Sequence, residues 1–286
     1  MPAHGFPELG ERHEVRLRAG TIGYHERGDG PPLLFAHGVF ANAALWSKVV
    51  PLLADRFRCI APDWPLGSHS IALEGDGLSP PAVAEMFGEF IGELGLERPT
   101  LVGNDTGGAL CQMFAVRHPE LFDRLVLTNC DAYDKFPPQP FTYLVWVPHI
   151  PGAVSMLAAS MRPRFMRRLP IAYGWLAKRM PQEVEDAFVE PVMTDKGVRR
   201  DITAFLKAAN KKQLIAAGEQ LPNLDKPVLL AWGEDDKAFK LKYAERLHAD
   251  LPDSKLVRIP DSYTFVSLDQ PERLAELIKE FVPARP

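Results

Sequence analysis

Residues 100–108 read Thr-Leu-Val-Gly-Asn-Asp-Thr-Gly-Gly, and a helix-length segment, Gly107 to His118, opens on the last two of them. The short β-branched run Thr100-Leu101-Val102 reads as a strand, so the chain passes from strand to helix in very few residues. Such a turn holds its middle residue in a strained conformation, and small residues two before and two after it let the backbones pass. Gly103 and Gly107 occupy those places, which leaves Asp105 as the residue on display. The helix N-terminus beside it supplies free N–H groups and the positive end of a dipole, both favourable to an anion. The plainer reading is a turn in which Asp105 caps the helix.

Working outward, a second loop points the same way. The strand Leu33 to Ala36 is followed by His37-Gly38-Val39-Phe40, a pattern that suits a loop whose amides stabilise negative charge. The backbone N–H groups of Val39 and Thr106 are expected to converge on Asp105, with His37, Gly38 and Asn104 walling the site.

Strand-like runs continue at His13 to Arg18, Thr21 to Glu26, Arg58 to Ala61 and Leu125 to Thr128, with helix-length segments at Ala43 to Leu53 and Pro81 to Leu94. Strand and helix in alternation imply parallel strands joined by crossovers. The first two strands, joined through Ala19-Gly20, predict an antiparallel hairpin at the edge. From Tyr133 to about Pro222 the alternation gives way to helical, proline-punctuated sequence, and the prolines predict short helices. After Pro222 the rhythm resumes with Val228 to Trp232, Leu241 to Leu251, Lys255 to Ile259 and Pro271 to Phe281. The chain therefore reads as an α/β core, residues 1–132 and 223–286, carrying an inserted helical cap over residues 133–222.

With 33 basic against 37 acidic residues and a formal charge of -4, no global field draws nucleic acid or an anionic membrane to this chain. Neither is expected as a partner. Cys59, Cys111 and Cys130 form no disulfide framework, the N-terminal stretch lacks the apolar run of a secretory signal, and no segment has the length of a membrane span. A cytoplasmic setting is the expectation. No ligand spacing implies a metal and no dinucleotide fingerprint implies an organic cofactor.

The His37-Gly38 loop, Ala61-Pro62-Asp63-Trp64-Pro65-Leu66-Gly67-Ser68, the Asp105 turn, Trp232-Gly233-Glu234-Asp235-Asp236 and Asp269-Gln270-Pro271-Glu272 together resemble the α/β-hydrolase superfamily. The resemblance is greatest to its branch of haloalkane dehalogenases and epoxide hydrolases. It implies that Asp105 attacks an sp3 carbon to form an alkyl ester, which a histidine held by an acid then helps water to cleave. The acid is implied at Asp236, after the seventh strand, with Asp131, after the sixth, as the second choice. In the histidine loop, Ile259-Pro260-Asp261-Ser262-Tyr263-Thr264-Phe265-Val266, the histidine's place is taken by Thr264, whose hydroxyl is no base near neutral pH. The places that hold a leaving halide in dehalogenases carry Val39 and Thr106; epoxide hydrolases protonate the opening oxygen with cap tyrosines, a role open to Tyr143 and Tyr173, though no local pattern singles them out.

Other groups compete for roles. His37 and His69 are candidate substitute bases, His118 reads as a helix-end cap, and His149 lies in the cap. Arg162, Arg164, Arg167 and Arg168 suit an anionic substrate or simply a solvated face. Phe136, Phe141, Trp146, Tyr173 and Trp175 suit an apolar pocket roof or the cap's own core. Three functions stay open: an enzyme using Asp105 on a small organic molecule, an acid/base lyase or isomerase on the same fold, and a ligand-binding protein without chemistry. A homodimer is compatible with the sequence.

Overall fold

The β-branched runs become eight strands of one sheet in the computed structural model, which describes residues 5–75 and 77–283. In chain order these are β1 (Glu11–Leu17), β2 (Gly20–Arg27), β3 (Pro32–Ala36), β4 (Arg58–Pro62), β5 (Thr100–Asp105), β6 (Arg124–Cys130), β7 (Val228–Gly233) and β8 (Ser254–Ile259). Their spatial order is β1-β2-β4-β3-β5-β6-β7-β8. β1 and β2 form the expected antiparallel edge hairpin, β2 runs antiparallel to β4, and every later pairing is parallel. Burial follows position in the sheet. All six residues of β7 are buried, whereas β1 at the edge is largely solvated. Cys59, Cys111 and Cys130 are buried free thiols.

Because β3, β5, β6 and β7 run the same way, the loops that begin at His37, Asp105, Asp131 and Glu234 all leave from one edge of the sheet. In open α/β sheets that carboxyl edge is where ligands bind. The helix Thr106–Ala115 starts directly on β5, and Pro80–Glu93 starts on Ser79, whose hydroxyl accepts from the Ala82 N–H at 3.3 Å. The single helix expected over Ala43 to Leu53 is instead a 3-10 turn, Ala43–Trp46, and a short helix, Val50–Leu53. Pro51 explains the break, since its ring is tolerated in a first turn but not mid-helix. His118 occupies the N-cap position of the 3-10 turn Pro119–Leu121 but makes no capping bond through its side chain; its ring Nε2 lies 2.8 Å from Glu85.

Between β6 and β7 the chain forms 3-10 turns at Phe141–Val145 and Val147–His149, then helices Ala153–Ser160, Arg164–Arg167, Gln182–Thr194, Lys196–Ala208 and Lys211–Gly218. Pro191 departs from the expectation that each proline breaks a helix, because it sits inside Gln182–Thr194. The Ala187 carbonyl, four residues earlier, accepts from Asn42 Nδ2 at 3.0 Å, so the bond that proline cannot make is replaced from the core. These helices roof the carboxyl edge. They are fastened there by Tyr173 Oη to the Phe40 carbonyl (2.7 Å), Ser68 Oγ to the Phe188 carbonyl (2.5 Å) and the Phe265 N–H to the Leu176 carbonyl (2.7 Å). Among the described residues no helix is long and apolar enough to cross a membrane.

Candidate active site

Asp105 adopts φ 54° and ψ -132°, a conformation that a non-glycine residue holds only at a cost of about 1–3 kcal/mol. Its glycine neighbours make that conformation sterically possible. A Cβ on Gly103 would lie 2.7 Å from Gly108 Cα, one on Gly107 2.5 Å from the His37 carbonyl oxygen, and one on Gly38 2.5 Å from Asp105 Cβ. The turn is thus closed by three bare backbones, two on β5's own elbow and one on the loop after β3.

Asp105 does not cap its helix through its side chain. Thr106 Oγ1 instead lies 3.4 Å from Asp105 Oδ1 and 3.0 Å from Asp131 Oδ2, so one hydroxyl bridges two carboxyl groups. Burial pushes Asp105 up to about 7; the Thr106 N–H and hydroxyl pull against this and the charge of Asp236 adds to it. Asp131, 1% exposed, is held well above the ordinary carboxylate range by burial and then by the charge of Asp105. Its Oδ1 is buried with no hydrogen-bond partner among the described residues, as suits a neutral carboxyl group.

Asp236 is placed differently. Its Oδ1 accepts from the N–H groups of Ala238 (2.7 Å) and Phe239 (3.0 Å), and its Oδ2 from Asn129 Nδ2 (2.7 Å) and Thr264 Oγ1 (2.9 Å). Burial raises it to about 6 against the pull of those four donors. Thr264, fully buried, therefore pairs with the acid as a histidine at that position is implied to do. Its carbonyl accepts from Asn104 Nδ2 at 2.7 Å. Asn104 turns away from the site to bind this loop and the end of β6, so it does not wall the pocket.

Above Asp105 is a cavity of about 100 Å³, lined from the core by Val39, Phe40, Asp105, Thr106 and Asp131. The roof contributes almost only apolar groups, among them Phe136, Phe141, Leu144, Leu157, Met161, Tyr173, Val189 and Phe205. Neither Asp236 nor Thr264 lines it. Tyr143 and Tyr173 do, but both phenols donate to carbonyls, of Ile171 (2.9 Å) and Phe40 (2.7 Å). Two of the five roof aromatics expected at the pocket are elsewhere. Trp146 is 72% exposed on the outer surface, and Trp175 lies outside the lining with Lys237 Nζ 5.7 Å from its ring centre. Periodicity in short proline-bounded segments does not say which side of a turn faces inward.

The candidate histidines also lie off this cavity. His37 donates from Nδ1 to the Gly38 carbonyl (2.9 Å) and accepts the Trp64 N–H at Nε2 (2.9 Å). Burial lowers it to about 4, so it is a neutral brace for the loop. His69 faces a second cavity near the N-terminus, with Nε2 3.2 Å from Asp201. Of the cap arginines, Arg167 is buried against Asp186 and Glu185, Arg164 and Arg168 pair with the same two carboxylates, and none lines the cavity. Asn129, which no spacing rule singled out, binds both Asp236 and Gly233. Its only signal is a polar residue at the inner end of an apolar strand.

These shifts have a consequence for stability. The ordinary value for Asp105 is 3.8 and the folded value about 7, so the folded state binds more protons between them and loses stability as pH rises through that window. Asp105→Asn cannot ionise. Its urea midpoint is expected to exceed that of the wild type at ~pH 8 and to converge with it by ~pH 4. A difference that does not vary with pH would contradict the buried, raised carboxyl.

Residues 31–271 match the family described as alpha/beta hydrolase fold. Haloalkane dehalogenase 2 of Mycobacterium tuberculosis is 32% identical over 273 residues, 91% of each chain. The cis-3-alkyl-4-alkyloxetan-2-one decarboxylase of Xanthomonas campestris pv. campestris is 25% identical and covers 100% of each chain. Among solved structures, the epoxide hydrolase CorEH superposes with a TM-score of 0.79 over 95% of this chain and 98% of its own; at 18% identity the likeness is one of fold.

Proposed function

The chain belongs to the α/β hydrolase fold family, and from that premise we propose that it is an enzyme of the dehalogenase and epoxide hydrolase type whose nucleophile is the Asp105 carboxylate. The observation that carries this reading is Asp105 itself, held at positive φ on the floor of an apolar cavity roofed by helices. A strained turn of this kind persists where the surroundings over-determine it, and such turns cluster at reacting groups. The substrate class is a small apolar molecule with an electrophilic carbon. No lysine, arginine or histidine is among the cavity-lining residues, so nothing there favours an anion.

In the first step a carboxylate oxygen of Asp105 bonds to that carbon as its bond to the leaving group breaks, and the leaving group departs with the electron pair. The product is an alkyl ester on Asp105. Water must then be activated, and Asp236 is poorly placed for this, being outside the cavity with four donors already on it. Asp131 is the better base. Asp131 faces the same cavity through Thr106, and esterification removes the Asp105 charge, the lesser of the two causes that hold it protonated; burial remains, so its proton must first leave before it can take one from water.

One observation favours a second reading. The chain Asp131, Thr106 Oγ1, Asp105 is a ready path for a proton, so the pair can serve acid/base chemistry with no ester, and one relative's named activity is a decarboxylation. Intact-protein mass spectrometry after exposure to haloalkanes, epoxides and activated esters separates the readings. A mass increase equal to the transferred group, mapped to the peptide holding Asp105, is the expected result. Turnover without an adduct on any timescale moves the balance to proton transfer, and a ligand recovered unchanged makes the protein a binder.

A further inference from the structure

The outer surface of the roof is unlike the rest of the molecule. Among the described residues, the large apolar side chains that stand in solvent are Val145, Trp146, Ile150, Met156, Phe165 and Ile171, and every one belongs to this segment. Trp146, Ile150, Met156 and Phe165 are 72%, 58%, 74% and 68% exposed, well beyond the scattered partial exposure that a folded surface tolerates without comment. The charges are as one-sided as the apolar groups. From Phe136 to Gln182 the chain contains no aspartate or glutamate, although its total charge is -4.

Of the basic residues in that run, Arg167 is buried, while Lys178 and Arg179 are taken up by Asp235 and Asp261 on the core. Arg162, Arg164 and Arg168 remain at the surface. Arg164 and Arg168 reach Asp186 and Glu185 only at 3.4 and 3.7 Å, with 55% and 68% of their side chains in solvent, and Arg162 has no ion-pair partner among the described residues.

We propose that this face, with Trp146, Ile150, Met156 and Phe165 as apolar anchors and Arg162, Arg164 and Arg168 among them, seats on an anionic lipid surface. Indole and phenyl rings suit the boundary between headgroups and acyl chains, and arginine stems lie along apolar surface while their guanidinium groups reach phosphates. A second copy of the chain fits less well. Two-fold pairing sets the same patch against itself, which places arginines near arginines with no carboxylate from residues 136–182 to meet them. The net charge of -4 speaks against long-range attraction to the molecule as a whole, not against one face of it.

The position of the patch gives it a use. Val145 and Ile171 belong both to the exposed set and to the lining of the cavity above Asp105, so the patch reaches the wall of that cavity, and we take the entrance to lie there. An apolar molecule dissolved in the lipid then reaches the cavity without crossing water. Docking itself does not depend on what Asp105 does; delivery of substrate rests on the proposed function.

The test is flotation of the purified full chain with phosphatidylcholine vesicles, with and without phosphatidylglycerol. The chain is expected to float with the anionic vesicles and to be released by salt. Arg162→Gln and Arg164→Gln should each weaken partitioning about fivefold, and Trp146→Ser with Phe165→Ser more than tenfold. Turnover of a water-soluble substrate should be unchanged in all of them, which separates a failure here from a failure of the Asp105 mechanism. Wild type that ignores anionic vesicles, or vesicle binding unmoved by these changes, overturns the proposal. So does a wild-type dimer in light scattering that Trp146→Ser with Phe165→Ser splits, with no vesicle binding by either. Should the serine pair fail to fold, the arginine variants alone carry the test.

Discussion

Asp105→Asn is expected to abolish the covalent adduct and to lower turnover by ~10⁴-fold or more, a loss of about 5 kcal/mol of transition-state stabilisation. The side chain keeps its shape, and the Thr106 N–H retains an acceptor, so the elbow should stay closed around it. What disappears is the only ionisable oxygen that the turn presents at positive φ. The readouts are intact mass after incubation with substrate and steady-state rate, with the urea midpoint as the check on folding. An adduct that survives in Asp105→Asn would place the nucleophile elsewhere and end the proposed mechanism.

Thr264→His is the opposite experiment, and it is expected to shorten the lifetime of the adduct by ~10²-fold or more, within the range that a positioned general base supplies. The position is prepared for it. Thr264 Oγ1 already donates to Asp236 at 2.9 Å, so an imidazole there finds its orienting acid in place. The cost is packing, because Thr264 is fully buried and a larger ring in a full site costs ~1–3 kcal/mol. Adding Asp236→Asn should remove most of the gain. If Thr264→His folds and the adduct turns over no faster, water activation already belongs to Asp131. Asp131→Asn in the wild-type background should then trap the ester.

The elbow could be read from the sequence because its requirement is local: a strained residue needs bare backbone two places on either side, and Gly103 and Gly107 are visible without any fold. The strand rhythm, the edge hairpin and the proline-punctuated helical insertion are likewise properties of neighbouring residues, and they sufficed for the architecture. The reading of Thr264 at the place where the resemblance implies a histidine was local in the same way, since it rests on the pattern of the flanking loop.

The roles of the two acids were legible only in part. Asp131 and Asp236 each follow a strand of the same sheet, and sequence favoured Asp236 as the acid beside position 264, where Thr264 does donate to it. Only the folded loops show that Asp236 also takes the Ala238, Phe239 and Asn129 donors and stays off the cavity, while Asp131 faces it beside Asp105. The fate of each roof aromatic was also undecided until the short helices packed. Phe136 went in and Trp146 went out, although both lie in similar proline-bounded sequence. The physical reason is common to both cases. Local sequence sets the conformation of a few residues, but what a side chain faces depends on segments far along the chain, and burial and hydrogen-bond partners are decided by that meeting.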